Sequence, residues 1–324
     1  MKHRPWPIHL LILLFPYGAI YGLIQVEIIN PYWEQIIQYA IIVFISSLGL
    51  NIIYGYAGQF SLGHAAFFGI GAYTSAVITK AQETENYVIF ILVLFLGAAV
   101  AGLVAFLIGL PILRLRSDYL GIATLGFGII VKVALDNFDS LIPMMGGSRG
   151  MSGIPRLTNF TITYIFGVLA ILLLRNFVFS SHGRACVSIR EDEIASQAMG
   201  VDTTRYKTVA FVMGCSYAGF AGGLYAHLYV FLHPSNFDFL KSFDPLLIVV
   251  LGGLGSISGT LFAALGWTFL LEGLRVILPS QILDWRMVIY PVLLIVVMLL
   301  RPQGLFGGRE FAFLKPQEKD AVAR

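Results

Sequence analysis

Charge is what this chain has least of. Asp, Glu, Lys and Arg make up 12% of its 324 residues, about half the share with which a soluble domain covers its surface, and that shortage excludes a water-soluble globular fold. Cysteine is nearly missing: Cys186 falls in a polar stretch and Cys215 inside an apolar run, so their spacing implies neither a disulfide nor a metal pair. The net charge is only +3, and no basic helix is interleaved with aromatics, which argues against nucleic acid as a partner. Catalytic signatures are missing too. The chain contains no G-x-x-x-x-G-K-[ST] phosphate loop, no G-x-S-x-G elbow and no H-E-x-x-H zinc motif. The glycine run at 252–259 lacks the strand-turn-helix setting of a dinucleotide site. The expected chain is therefore not an enzyme and binds no cofactor of its own.

Apolar residues, by contrast, reach 57%. A spanning helix needs about 20 of them in a row to cross about 30 Å of hydrocarbon. Such runs lie near residues 8–28, 36–54, 61–79, 88–113, 119–136, 160–179, 208–232, 257–278 and 285–300. The expected fold is an all-α integral membrane protein, one domain over residues 1–324 with about nine or ten membrane helices. Lys2 and Arg4 precede the first run, and no clean small-x-small cleavage site follows it, so the first span is read as uncleaved. The apolar stretch Pro245–Leu251 is too short to cross and runs straight into Gly252, Gly253 and Gly255, as a half-helix that enters and turns back would.

Lys and Arg are retained on the cytoplasmic side of a membrane. With the N-terminus inside, fourteen of the 21 basic residues fall inside and seven outside, which places both termini in the cytoplasm. Residues 137–159, rich in Gly, Ser, Met and Pro, then form a mobile periplasmic loop; residues 185–205 form a cytoplasmic loop, and 308–324 a cytoplasmic tail.

Sliding the chain by 197 positions superposes Gly55, Gly58, Ser61, Ala66 and Gly69 on Gly252, Gly255, Ser258, Ala263 and Gly266. On the derived topology the two copies are parallel repeats about an axis normal to the membrane. Breaks of this kind leave free amides and carbonyls that neighbours, water or a polar cargo must satisfy. Gly55, Gly58, Gln59, Ser61 and His64 in the first copy, with Gly252, Gly253, Gly255 and Ser256 in the second, are the candidate translocation pathway. Helix packing competes as an explanation of the glycines, since Ser61, Ala65 and Gly69 form a small-xxx-small stripe. Gln59 and His64 are harder to explain by packing, because polar side chains inside a membrane are costly. His227 and His233 read as solvated residues at the outer membrane edge. Two further stripes, Gly214, Ala218 and Gly222 beside Cys215, Gly219 and Gly223, read as a tight seam, either within the chain or with a partner chain. Lys132 with Asp136 and Glu272 with Arg275 read as local ion pairs.

The cytoplasmic loop holds the densest charge. From Arg190 to Gly200 the spacing predicts one short amphipathic helix, with early acids including Glu191 and Glu193, apolar Ile194, Ala195, Ala198 and Met199 on one face, and Gly200 as the stop. Asp202 is the expected N-cap of the next span.

Several segments together resemble the permease subunits of bacterial ABC importers for branched-chain amino acids, most closely the longer M type. They are Leu-Gly-Leu-Asn at 48–51, Gly55 to Tyr73, Leu-Arg-Ser-Asp-Tyr-Leu-Gly-Ile-Ala-Thr-Leu-Gly-Phe-Gly at 115–128, Arg190 to Lys207, Val-Leu-Gly-Gly-Leu-Gly-Ser at 250–256, and Arg-Pro-Gln-Gly-Leu-Phe at 301–306. The resemblance implies an inner-membrane subunit paired with a homologous second permease, two ATP-binding subunits carrying ATP and Mg, and a periplasmic substrate-binding protein. It also implies that Glu191, Glu193, Ile194, Ala195, Ala198, Met199 and Gly200 form the helix that couples to the ATPase. The chain departs from the family's pattern at Ile129, where relatives often carry Glu. Relatives that move urea, short amides or other amino acids share the scaffold, so those cargoes stay open. A nucleotide-independent transporter or channel is the rival class, disfavoured by the scarcity of intramembrane carboxylates.

Overall fold

The computed structural model describes residues 6–82, 86–113, 115, 117–277, 292, 295–296, 299–301, 303–307 and 310–311. Its elements in order are α1 (Trp6–Gln25), α2 (Pro31–Leu50), which runs into a π-helical turn (Asn51–Tyr56), α3 (His64–Gln82), α4 (Tyr87–Ile112), α5 (Ser117–Asn137), β1 (Met151–Ser152), α6 (Phe160–Phe179), α7 (Ser181–Glu191), α8 (Glu193–Ala198), α9 (Thr203–Tyr229), β2 (Phe231–Leu232), α10 (Phe243–Gly252) and α11 (Ile257–Ile277). Among the described residues six helices are long and apolar enough to cross a membrane: those within 31–56, 87–112, 119–140, 160–179, 203–229 and 257–276. The expected run at 285–300 lies largely outside the described residues, as does the tail beyond Phe311.

Helix boundaries follow side-chain chemistry. Pro31 opens α2 at a position where a missing N–H costs nothing. Asn86, Asn159 and Asp202 cap α4, α6 and α9 by accepting the amides of Val88, Ile162 and Arg205. Lipid-facing residues such as Leu92, Leu103 and Leu107 on α4 and Ile165, Leu172 and Leu173 on α6 are exposed, as a protein solvated by hydrocarbon requires. Ile129 of α5 is exposed as well.

The bundle is organised around α9, which packs on α2, α3 and α4. Its small-residue stripes form the seam, and the seam is intramolecular: Gly214 lies against Gly49, Gly219 against Gly71 and Ala101, and Gly222 against the Phe68 carbonyl. A Cβ at Gly214 would collide with the Gly49 carbonyl, so only glycine lets these backbones approach.

Three expectations change here. The 137–159 segment is not irregular throughout: it folds into 3₁₀ turns and strand β1, which pairs antiparallel with β2 (Met151 opposite Leu232), and it buries Met145, Met151 and Ile154 against Phe237 and Ala72. Its apolar residues outweigh its glycines. His227 is not solvated at an edge but fully buried on α9. Its Nδ1 donates to the Gly223 carbonyl at 2.8 Å, which leaves Nε2 to accept from Thr79 Oγ1 at 2.9 Å. Finally, the single amphipathic helix from Arg190 to Gly200 is two helices, for reasons given below.

Candidate functional site

The two glycine breaks meet. Gly58 and Gly255, equivalent in the repeat, both adopt left-handed backbone at φ 68° and 76°, a conformation that L side chains resist. A Cβ on Gly55 would stand 2.6 Å from the Gly255 nitrogen, so the first break lies directly on the second. Asn51 fastens them: its Oδ1 accepts from the Gly255 amide at 2.9 Å, and its Nδ2 donates to the Ser256 carbonyl at 3.1 Å and to Thr260 Oγ1 at 3.0 Å. A fully buried amide with its hydrogen-bonding groups occupied on the opposite repeat is a rigid cross-link in a low-dielectric interior.

The remaining pathway candidates spread along these breaks. Gln59 donates to the Lys207 carbonyl of α9 at 3.0 Å. Ser61 is buried, and His64 begins α3. Gly252 closes α10 against Gly259 of α11, and Gly253 (φ 109°) ends the half-helix. Ser256 caps α11 by accepting the Gly259 amide at 2.9 Å. The exposed carbonyl end of α10 takes its donors from the Arg-Pro-Gln-Gly-Leu-Phe motif: Leu305 N reaches the Leu251 carbonyl at 2.7 Å and Phe306 N the Gly252 carbonyl at 3.3 Å, with Gly304 seated on Gly253. Among these candidates only His64 lines the cavity described further below.

The loop of densest charge lies beside the breaks. α7 buries Gly183, Cys186 and Ile189, with Cys186 Sγ 3.7 Å from the Tyr206 carbonyl; burial pushes that thiol up to about 11. Asp192 then turns extended (φ −155°) and splits the expected helix, because its carboxylate accepts the Ala195 amide at 2.9 Å and so starts α8 afresh. Gly200 (φ 85°) stops it as anticipated. Two contacts tie α8 to α9, the Lys207–Glu193 ion pair at 2.5 Å and Gln197 Nε2 to Thr203 Oγ1 at 2.9 Å. The apolar residues of α8 point away from the bundle: Ile194 is 80% and Met199 84% exposed, Ala195 and Ala198 are exposed, and Ser196 alone is buried. Such a face on an otherwise satisfied helix is incomplete by itself.

A family profile described as "Branched-chain amino acid transport system / permease component" matches residues 32–298. The chain belongs to that family. Its similarity to curated permeases extends over most of its length. It is 36% identical over 295 residues to the high-affinity branched-chain amino acid transport system permease protein LivM of Salmonella typhimurium, covering 81% of this chain and 67% of that one. It is 34% identical to LivM of Escherichia coli with the same coverage, and 28% identical over 286 residues to the S. typhimurium permease LivH, covering 82% of this chain and 91% of that one. No solved structure matches. This family member is a multi-pass membrane permease, a transporter subunit with the all-α fold expected.

Within the permease several residues carry roles that their positions in the sequence did not assign. Asn51 was visible as an amide inside an apolar run, which is itself a signal. Arg190 gave no signal beyond marking a helix start, because its partner is a backbone carbonyl 135 positions away. Glu310, which accepts from the Ile257 and Ser258 amides at the start of α11 and from Ser258 Oγ, is equally unreadable from spacing. The local ion pairs Lys132–Asp136 and Glu272–Arg275 are present, each at 3.5 Å.

Proposed function

We propose that this chain is one of two homologous permeases of an ATP-driven importer in the bacterial inner membrane, moving leucine, isoleucine and valine inward. Its companions are a second permease, two ATP-binding subunits that hold ATP and Mg, and a periplasmic binding protein that presents the cargo. The observation carrying this reading is α8, a six-residue helix whose Ile194 and adjoining Met199 are left uncovered by the described residues and whose ends are fastened to α9. A greasy, rigidly mounted knob at one end of a membrane bundle is what a cleft on a motor subunit can grip. Both termini and α8 then lie in the cytoplasm, and residues 137–159 in the periplasm.

Mechanism follows from mounting. Closure of the ATPase dimer displaces α8; Lys207 and Thr203 pass that motion to α9, and Arg190 passes it to the glycine breaks. The breaks give the bundle two packings of similar energy, which alternating access requires. The test is Ala195→Arg with Ala198→Arg in the assembled transporter. Leucine uptake into proteoliposomes and cargo-stimulated ATP hydrolysis are both lost while the chain still inserts and assembles with the second permease. Normal uptake by that variant, or gradient-driven flux by the chain alone without nucleotide, overturns the reading.

A further inference from the structure

A cavity of about 90 Å³ opens where α3 and α10 both begin, at the end of α10 away from the crossing of the two breaks. A water needs only about 10–15 Å³ of such space, so the cavity holds several waters or a small solute. Its walls combine two chemistries. Val43 of α2, Phe68 of α3 and Tyr225 of α9 give it an apolar, aromatic wall; Lys241, Asp244 and His64 give it a polar one. Ser242, buried between Lys241 and Asp244, accepts the Ala65 amide at 3.0 Å and so locks the start of α10 to the start of α3. The α3 N-terminus thereby sits inside the protein, with His64 and Ala65 lining the cavity and the positive end of the helix dipole beside it.

His64 decides the polarity. It is 1% exposed, and its Nε2 lies 2.8 Å from the Ser46 carbonyl. A carbonyl can only accept, so Nε2 carries the hydrogen and Nδ1 of the neutral ring is a lone pair. That lone pair has no partner among the described residues, and His64 lines the cavity. Buried polar atoms are almost always satisfied, and this one asks for a donor. Asp244 also lines the cavity. Trp267 lies within hydrogen-bonding reach of its carboxylate and Lys241 Nζ stands 3.6 Å away, longer than the usual charge-assisted hydrogen bond, so both charges of the pair are held at the cavity wall.

We infer that this cavity is a transit site for a zwitterionic α-amino acid, with the ammonium held by His64 Nδ1 and Asp244, the carboxylate by Lys241 and the α3 amino end, and the aliphatic side chain against Val43, Phe68 and Tyr225. The inference rests on the permease reading above and names where within this subunit that cargo pauses. It separates amino acids from urea and short amides, which carry no ammonium for His64 and Asp244 to bind.

The experiment uses the full transporter, purified with its partners, and the diazirine amino acid photoleucine as probe. Photolabel should map to Val43, Phe68 or Tyr225, be displaced by excess L-leucine, and persist under 4-methylpentanoate, which lacks the ammonium. Asp244→Asn should cut this labelling about tenfold, the usual consequence of losing one charge-assisted contact. Lys241→Met, at a half-exposed position where folding is not at stake, should cut it similarly and serves if the Asp244 variant fails to assemble. Leucine-competed label at other residues, or no competed label in a preparation that actively takes up leucine, overturns the site and leaves the importer reading standing. A wild-type assembly that takes up no leucine overturns both.

Discussion

Arg190 Nη1 donates to the backbone carbonyl of Gly55 at 2.6 Å, and the same guanidinium comes within 3.1 Å of where a Cβ on Gly255 would stand. One side chain at the end of α7 therefore touches both broken segments at their crossing, while its Nε and Nη2 hold Glu191. A planar fork can bridge a carbonyl and a carboxylate at once; an ammonium cannot match that geometry.

Arg190→Lys is accordingly expected to behave nearly as badly as Arg190→Ala. Losing a charge-assisted hydrogen bond of roughly 1.5–3 kcal/mol corresponds to about ten- to a hundredfold, and the loss should fall on uptake while ATP hydrolysis continues without cargo. Parallel measurement of leucine uptake and basal ATPase in proteoliposomes checks it. Lys at wild-type efficiency would show that the fork plays no part.

Gly255→Ala places a Cβ on a residue at φ 76° and 3.1 Å from the Arg190 guanidinium. Left-handed backbone alone costs a non-glycine residue roughly 1–2 kcal/mol. The expected outcome is a thermal midpoint a few degrees lower by intrinsic fluorescence, whereas Gly126→Ala, whose Cβ would meet nothing within 4 Å, should leave it unchanged.

Glu310→Ala removes the acceptor for two α11 amides and one hydroxyl. Stranding such donors costs roughly 1–3 kcal/mol, and the carboxylate also favours the positive end of the helix. Hydrogen exchange should rise first at Ile257–Gly259; unchanged protection there would refute the cap.

Cys186 gives a pH dependence of definite sign. Burial raises its thiol from 9.0 to about 11, so the folded chain keeps its proton when the unfolded chain has begun to lose it. The associated stability is fully present below about 9 and is lost as pH climbs from there to about 11. Iodoacetamide should modify Cys186 slowly at pH 8 and about tenfold faster per pH unit above it, as the thiolate fraction grows. Equal rates in folded and detergent-denatured protein at pH 8 would contradict the buried environment.

The repeat shows how far pattern reading reaches. Five small residues at a constant offset of 197 were enough to pair Gly58 with Gly255, and the paired positions do share a left-handed backbone. The offset could not reveal that the copies touch through Asn51, because Asn51 faces Ile248 in the alignment and has no counterpart. In the loop, the apolar spacing of Ile194, Ala195, Ala198 and Met199 was legible and their outward direction was not. Asp192 lay in the same window, but its choice between helix interior and N-cap depends on where α7 must end to bury Ile189.

By itself the sequence determined that this chain lives in a bilayer, that its apolar runs are helices, and that two of them are interrupted, since backbone in hydrocarbon has few ways to satisfy its own polar groups and those ways are written locally. Only the tertiary structure decided which polar atoms find each other: Arg190 and Gly55, Asn51 and Gly255, Ser242 and Ala65, and the lone pair of His64 that finds no partner among the described residues. Those pairings join residues far apart along the chain, and no local propensity encodes a distance that arises only when the helices have packed.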